Sequence, residues 1–226
     1  MANDPIEERI REVVIREVES PAIVVVDYDP AWPERFRQEA TKIRAALGKA
    51  AQAIEHIGST SVPGLAAKPI VDILLVVEDS SDEASYVPAL ESAGYVLRVR
   101  ERDFYEHRML RTAAKDVHVH VYSPGSPEIE RYLLLRDRLR ENDEDRELYA
   151  RTKRDLTSRE WPSMEHYAEA KTEVIEGIIT RALGGRELLF QRTRQSQTLR
   201  RIAGARGDGD DEEVVRGGAA TEKTGP

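Results

Sequence analysis

The chain has 226 residues, with 42 acidic against 34 basic side chains, a formal net charge of −8 and no cysteine. This balance argues against a protein that coats nucleic acid, because neutralising phosphates needs an excess of Lys and Arg. The missing thiols exclude disulfides and thiolate metal sites, so any metal must sit on oxygen or imidazole ligands. The charged N-terminal stretch lacks the apolar core of a signal peptide, and no apolar run approaches a membrane span. The expectation is a cytoplasmic protein with no membrane partner.

In chain order, residues 4–19 read as a short charged helix with Ile6, Ile10, Val13, Val14 and Val18 as a broken apolar stripe. The β-branched run over 22–28 reads as a strand. A turn at "DPAW" then leads into a helix with Pro33 in its first turn, where Phe36, Ala40, Ile43 and Leu47 recur at helical spacing until Gly48. Residues 53–57 and 70–77 read as strands, the second apolar on both faces and therefore covered on both sides. Ser80 with Glu83 resembles a capping box opening a helical segment that Pro88 interrupts and Gly94 closes. "YVLRVR" and residues 116–122 alternate at period two, with a further short strand expected between them around Phe104, Tyr105 and Met109. Beyond Pro124 three helices are expected, over 126–140, 143–157 and 163–183, the last with Tyr167, Ala170, Val174, Ile178 and Ala182 on one stripe. The order is a β-rich part followed by a helical part, an α+β pattern. Three units follow: a charged extension over 1–20, one domain over 21–184, and a charged, glycine-rich tail over 185–226 expected to be disordered.

Two stretches carry chemistry. Gly58 and Gly64 have the wrong spacing for a P-loop, and Leu65 rather than Lys follows the second. No G-x-S-x-G nucleophile elbow is present. What remains is a strand ending in Gly58-Ser59, a loop with Lys68, and a strand with Asp72. Backbone amides and the Ser59 hydroxyl of such a turn can face an anion, Lys68 can add charge, and Asp72 can hold a divalent cation. The competing reading is an ordinary loop beside a hydrogen-bonded buried acid. His118 and His120 leave one face of their strand, roughly 7 Å apart along it, with Val117, Val119 and Val121 on the other. They read either as half-exposed histidines or, if Asp72 lies opposite, as two of three ligands to one metal. Arg136, Asp137, Tyr149, Lys153 and Lys171 either line a phosphate pocket or form a solvated, salt-bridged helix face. His56, His107 and His166 have no partner spacing and read as structural.

"VDYDPAWPERF", "EHIGSTSVPGLAAKPIVDI", "HVHVY" and "RYLLLRDRLR…YARTK" together resemble the GrpB family over residues 22–183. The resemblance implies the mixed β-sheet with helices of the nucleotidyltransferase superfamily, followed by a helical portion. Some relatives are fused to dephospho-CoA kinase. The superfamily pattern is a hydrophobic-Gly-[Gly/Ser] turn, an Asp-x-[Asp/Glu] pair on the next strand and a third acid on a neighbouring one. Ile57-Gly58-Ser59 matches the turn and Asp72 the first acid, but Leu74 stands where the second acid belongs, and His118 and His120 replace the third. Two-metal transfer on Mg²⁺ needs more carboxylates than this, while imidazole favours borderline metals.

The resulting expectation is a divergent nucleotidyltransferase with Asp72, His118 and His120 as catalytic and metal-binding residues and Gly58, Ser59 and Lys68 at the phosphates. Its cofactor is a divalent metal (Mg, Mn or Zn), its substrate a nucleotide or other phosphate-bearing small molecule, and its acceptor a small molecule or an RNA, the latter unsupported by the acidic charge. The alternatives are a non-catalytic nucleotide- or metabolite-binding module on the same fold, and a metal-dependent hydrolase using the same three ligands.

Overall fold

The computed structural model describes residues 4–15 and 24–184. The expected helix and strand at 16–19 and 22–23, and the tail, lie outside the described residues. The helices are α1 (Pro5–Val13), α2 (Trp32–Leu47), α3 (Val87–Ser92), α4 (Pro127–Glu141), α5 (Asp143–Thr157), α6 (Met164–Glu169) and α7 (Thr172–Ala182). The strands are β1 (Ala53–Ile57), β2 (Val71–Val76), β3 (Tyr95–Glu101), β4 (His107–Thr112) and β5 (Val117–Tyr122). No described helix is long and apolar enough to cross a membrane.

The five strands form one sheet in the order β1-β2-β5-β4-β3. All neighbours are antiparallel except β2 and β5, which run parallel. A parallel pair needs a long crossover, and here α3, β3 and β4 supply it. Period two then sorts the side chains. Val71, Ile73 and Leu75 of β2 join Val117, Val119 and Val121 of β5 on one face, packed against Trp32 and Ile43 of α2 and Leu90 of α3. The opposite face carries Ile57, Leu74, Val76 and Tyr122 under Ile129, Tyr132 and Leu133 of α4. A third cluster joins Val62 and Leu65, in the loop after β1, to Leu139 of α4, Tyr149 of α5 and Ile178 of α7. The C-terminal helices thereby anchor the loop that follows the Gly58 turn.

Helix α1 starts at Asp4, whose Oδ1 accepts from the Ile6 amide at 2.9 Å. It covers the free edge of β3, where Val14 bridges to Val99 and the Ile15 amide donates to the Arg98 carbonyl at 3.0 Å. Covering an edge removes a row of unpaired backbone groups.

Three local expectations are corrected. The strand at 22–28 reduces, among its described residues, to one bridge between Val26 and Ala67. Val24 and Val26 stay exposed, because β-propensity needs a neighbouring strand to act on and only a loop residue is offered. The capping box at Ser80 does not form. Ser80 Oγ lies 3.0 Å from Ser123 Oγ, while Glu83 turns to Arg100 and Arg108 at 2.5 and 2.6 Å. Helix α3 begins only at Val87, with Pro88 in its first turn, where proline is tolerated. The helix expected over 163–183 breaks between Glu169 and Thr172. This break leaves Tyr167 beside Trp161 and Lys68, while Ile178 packs into the helical cluster.

Asp145 holds that helical cluster together. Its amide caps onto Asn142 Oδ1 at 2.8 Å, and its carboxylate accepts from Arg138 of α4 at 2.7 Å and Arg181 of α7 at 2.8 and 2.5 Å. Burial works to raise its pKa, but the two guanidinium partners outweigh this and hold it below the usual carboxylate value. Its stabilising contribution is therefore present above the unfolded pKa and lost as pH falls through the lower folded one. Asp145→Ala is expected to cost about 2 kcal/mol, the scale of hydrogen bonds to charged groups. Urea unfolding at pH 7 and pH 3 checks this, the wild-type advantage shrinking at the acid end.

Candidate metal and phosphate site

Strand β1 ends at Ile57, and the chain turns at Gly58 with φ of 69°. That conformation favours glycine, and a Cβ there would collide with Asp72 Oδ2. Gly58 is thus required twice, by its own backbone and by the carboxylate behind it. The turn is locked by its own polar groups: Ser61 Oγ donates to the Gly58 carbonyl at 2.6 Å and Thr60 Oγ1 to the Ile70 carbonyl at 3.1 Å. Arg140 donates to the Ser61 carbonyl at 3.0 and 2.8 Å, tying α4 to the turn.

Parallel pairing sets Asp72 opposite His118 and Leu74 opposite His120. The three sequence-derived candidates Asp72, His118 and His120 therefore share one face and converge. Asp72 Oδ1 lies 3.6 Å from His118 Nδ1 and 3.7 Å from His120 Nε2. One donor atom from each of the three residues falls within 4.8 Å of the other two. These separations exceed a hydrogen bond but suit ligands about 2.1 Å from a shared tetrahedral ion, which lie about 3.4 Å apart. Burial pushes the His118 pKa down to about 4 against the pull of Asp72, so the ring is neutral and able to ligate at pH 7. Burial opposes ionisation of Asp72, while the nearby Lys68 ammonium favours it. One carboxylate and two imidazoles fit a single borderline divalent ion better than a Mg²⁺ pair. Leu74 is 1% exposed and packs with Ile57, Val76 and Tyr122, so the second acid position is part of the core.

A further layer was not legible in the sequence. His107 Nε2 lies 3.1 Å from His120 Nδ1, and His107 Nδ1 lies 2.7 Å from Glu101 Oε2. The His107 ring lies nearly coplanar with His120, end to end through this hydrogen bond with centroids at 5.3 Å, and stacks on Tyr122 at 4.8 Å. The sequence offers only a lone histidine here, because no local spacing links residue 107 to residue 120.

A group of lysines also gathers at the turn. Lys153 of α5 is 3% exposed, and its Nζ donates to Ser59 Oγ at 3.1 Å and to the Ala66 carbonyl. The Tyr149 hydroxyl also hydrogen-bonds Ser59, although burial pushes its pKa up to about 12. Burial, aided by Lys171 and Arg154, brings Lys153 down to about 7. Lys171 is also lowered by burial, with Asp72 pulling the other way. The Lys68 and Lys171 ammonium groups lie 5.1 and 4.8 Å from the Tyr167 ring centre. The structure thus brings Gly58, Ser59, Lys68, Asp72, Tyr149, Lys153 and Lys171 together.

Arg136 and Asp137 are salt-bridged instead. Arg136 pairs with Asp137 at 2.7 Å and with Glu55 at 2.9 Å. His56 stacks on Phe36 and bonds Thr60, and His166 bonds Ser163 and Asp4, which makes both structural.

Comparison with known proteins identifies the family of the chain. The UPF0157 protein BH1888 of Halalkalibacterium halodurans is 50% identical over 178 residues, covering 78% of this chain and 91% of that one. The UPF0157 protein SCO7215 of Streptomyces coelicolor is 49% identical, covering 73% and 86%. The crystal structure of the conserved protein GrpB from Enterococcus faecalis superposes with a TM-score of 0.62 at 36% identity, covering 71% of this chain and 98% of that one. Residues 22–181 match the family described as GrpB protein, and the chain belongs to the GrpB family.

Proposed function

We propose that the chain binds a nucleoside triphosphate and transfers its nucleotidyl group to a small-molecule or RNA hydroxyl. The observation that carries this reading is the Gly58-Ser59 turn, with the Asp72–His118–His120 cluster and the Ser59–Lys153 pair gathered at it. Ser59 Oγ and the Lys68, Lys153 and Lys171 ammonium groups receive phosphate oxygens, while the glycine turn lets the backbone approach them closely. Asp72, His118 and His120 hold one Mn²⁺ or Zn²⁺, which when bound supplies a Lewis acid for the phosphoryl oxygens. The acceptor hydroxyl oxygen bonds to the α-phosphorus and releases its proton to solvent water, the bond from that phosphorus to the α,β-bridging oxygen breaks, and pyrophosphate leaves with that oxygen toward the lysines.

One observation favours a second reading. Leu74 is sealed in the apolar layer where the nucleotidyltransferase pattern places a carboxylate. A chain without that acid can retain nucleotide binding and lack transfer, serving as a nucleotide or metabolite sensor.

The two readings separate in one set of measurements. Wild-type protein is expected to retain about one equivalent of Mn²⁺ or Zn²⁺ by elemental analysis and to gain thermal stability with nucleoside triphosphate. α-Labelled nucleotide should pass to an acceptor in wild type and not in Asp72→Asn. Binding that survives Asp72→Asn, with no transfer in either protein, establishes the sensor. Absence of both metal and nucleotide-dependent stabilisation overturns both.

Lys153 supplies a pH signature. It is charged below about pH 7 and loses its proton above, so triphosphate affinity should weaken from pH 6 to pH 8. Lys153→Met, which keeps the buried stem, should bind about tenfold more weakly at pH 6, the scale of one charge-assisted hydrogen bond. Its pH dependence relative to wild type should be flatter. Titration calorimetry at the two pH values measures both effects.

A further inference from the structure

A row of side chains crosses the site face of the sheet from its edge to β2. Glu101 on β3 pairs with His107 on β4 in the ladder register, and Met109 on β4 pairs with His120 on β5. The side chains continue the line at 2.7 Å from Glu101 to His107, 3.1 Å from His107 to His120, and 3.7 Å from His120 to Asp72. The first two contacts are hydrogen bonds and the third is too long to be one.

We propose that Glu101 and His107 are positioning residues that fix the proton of His120 on Nδ1, so that its Nε2 lone pair faces the Asp72 carboxylate and the pair can accept a divalent ion. The direction of each hydrogen bond follows from donor chemistry. A carboxylate only accepts, so His107 carries its proton on Nδ1. A neutral imidazole has one proton, so His107 Nε2 is an acceptor and His120 Nδ1 must be the donor. His120 Nε2 is then unprotonated and faces a carboxylate oxygen, two acceptors with nothing of their own to share. A cation between them resolves that opposition. Without His107, the His120 proton is more favourable on Nε2, where it can donate to Asp72 and close the ligand position.

The surroundings support each step. Burial raises the Glu101 pKa, but His107 and Arg9 outweigh it and bring the group to about 2. His107 is 6% exposed and its ring is held parallel to His120 within 10°. Arg9 of α1 donates to Glu101 Oε1 at 2.5 Å, leaving Oε2 for His107. Outer-shell partners of ligating histidines are typically worth about 10–100-fold in metal affinity.

This inference rests on the reading of Asp72, His118 and His120 as metal ligands, and its test separates the two. Two-bond ¹⁵N–¹H correlation spectra of the metal-free, ¹⁵N-histidine-labelled full chain report the tautomer directly. His120 is expected to be Nδ1-protonated in wild type and Nε2-protonated in His107→Phe, which keeps the stack on Tyr122 but removes the acceptor. Co²⁺ titration, followed by its visible bands, should show His107→Phe binding about 10–100-fold more weakly. His107→Gln, whose Oε1 can still accept from His120, should restore affinity to within a few-fold of wild type. An Nε2-protonated His120 in wild type overturns the proposal without any variant. Unchanged Co²⁺ affinity in a folded His107→Phe also overturns it, while leaving the metal site intact. A wild-type protein with the Nδ1 tautomer but no Co²⁺ binding overturns the metal reading, and the positioning role falls with it.

Discussion

The parallel pairing of β2 with β5 is the constraint on which the rest of the site depends. Parallel strands keep residues of equal parity on the same face, so register Asp72↔His118 places one carboxylate and two imidazoles above the sheet together. The same pairing sends Val71, Ile73 and Leu75 with Val117, Val119 and Val121 beneath it. A slip by one residue would bury Asp72 among valines and lift the apolar set toward the helices of the other face. The core therefore specifies the site register, because the penalty for misplacing six buried aliphatic side chains far exceeds any preference of the polar ones.

Around that pair the charges are arranged about one turn. Asp72 lies behind the Gly58 turn with the two histidines beside it, and Ser59, Lys68, Lys153 and Lys171 gather around the same turn. The turn is narrow because Gly58 has no side chain to separate its backbone from the carboxylate. Lys153 contributes a donor from a helix that is remote in sequence, at the expense of burying an amine whose proton is then held only weakly. Such a perturbed lysine beside a serine hydroxyl is the kind of group that functional sites accumulate. Leu74 limits the chemistry in the opposite direction, since its place in the apolar layer under α4 leaves no room for a second carboxylate.

The site also reaches outward to the N-terminal segment. Arg9 of α1 holds Glu101, Glu101 holds His107, and His107 holds His120. The same helix covers the edge of β3 through the Val14–Val99 bridge. One short helix thus protects the sheet edge and supports the outer end of the polar row. Asp145 performs the corresponding task at the C-terminal side, joining α4, α5 and α7 over the loop that follows the turn.

Local pattern was enough to determine the α+β order, strands β1, β2, β3 and β5, the helices α2 and α5, and the parity that puts His118 and His120 on one face. Each of these follows from a period of two or 3.6 residues or from a glycine with positive φ, and all are properties of neighbouring residues. The resemblance to the GrpB family added the pairing of the Gly58 turn with Asp72 and the significance of Leu74. Over its described residues, 24–28, the expected strand reduces to the single Val26–Ala67 bridge, because a β-branched run has little strand character without a strand to pair with. The break between α6 and α7 carries no glycine or proline to announce it. Only the tertiary structure decided that Lys153 meets Ser59 across 94 positions and that the lone His107 lies between Glu101 and His120. Those contacts depend on strand order and helix docking, which arise from the burial of apolar faces over the whole chain and leave no periodic trace near the residues they join.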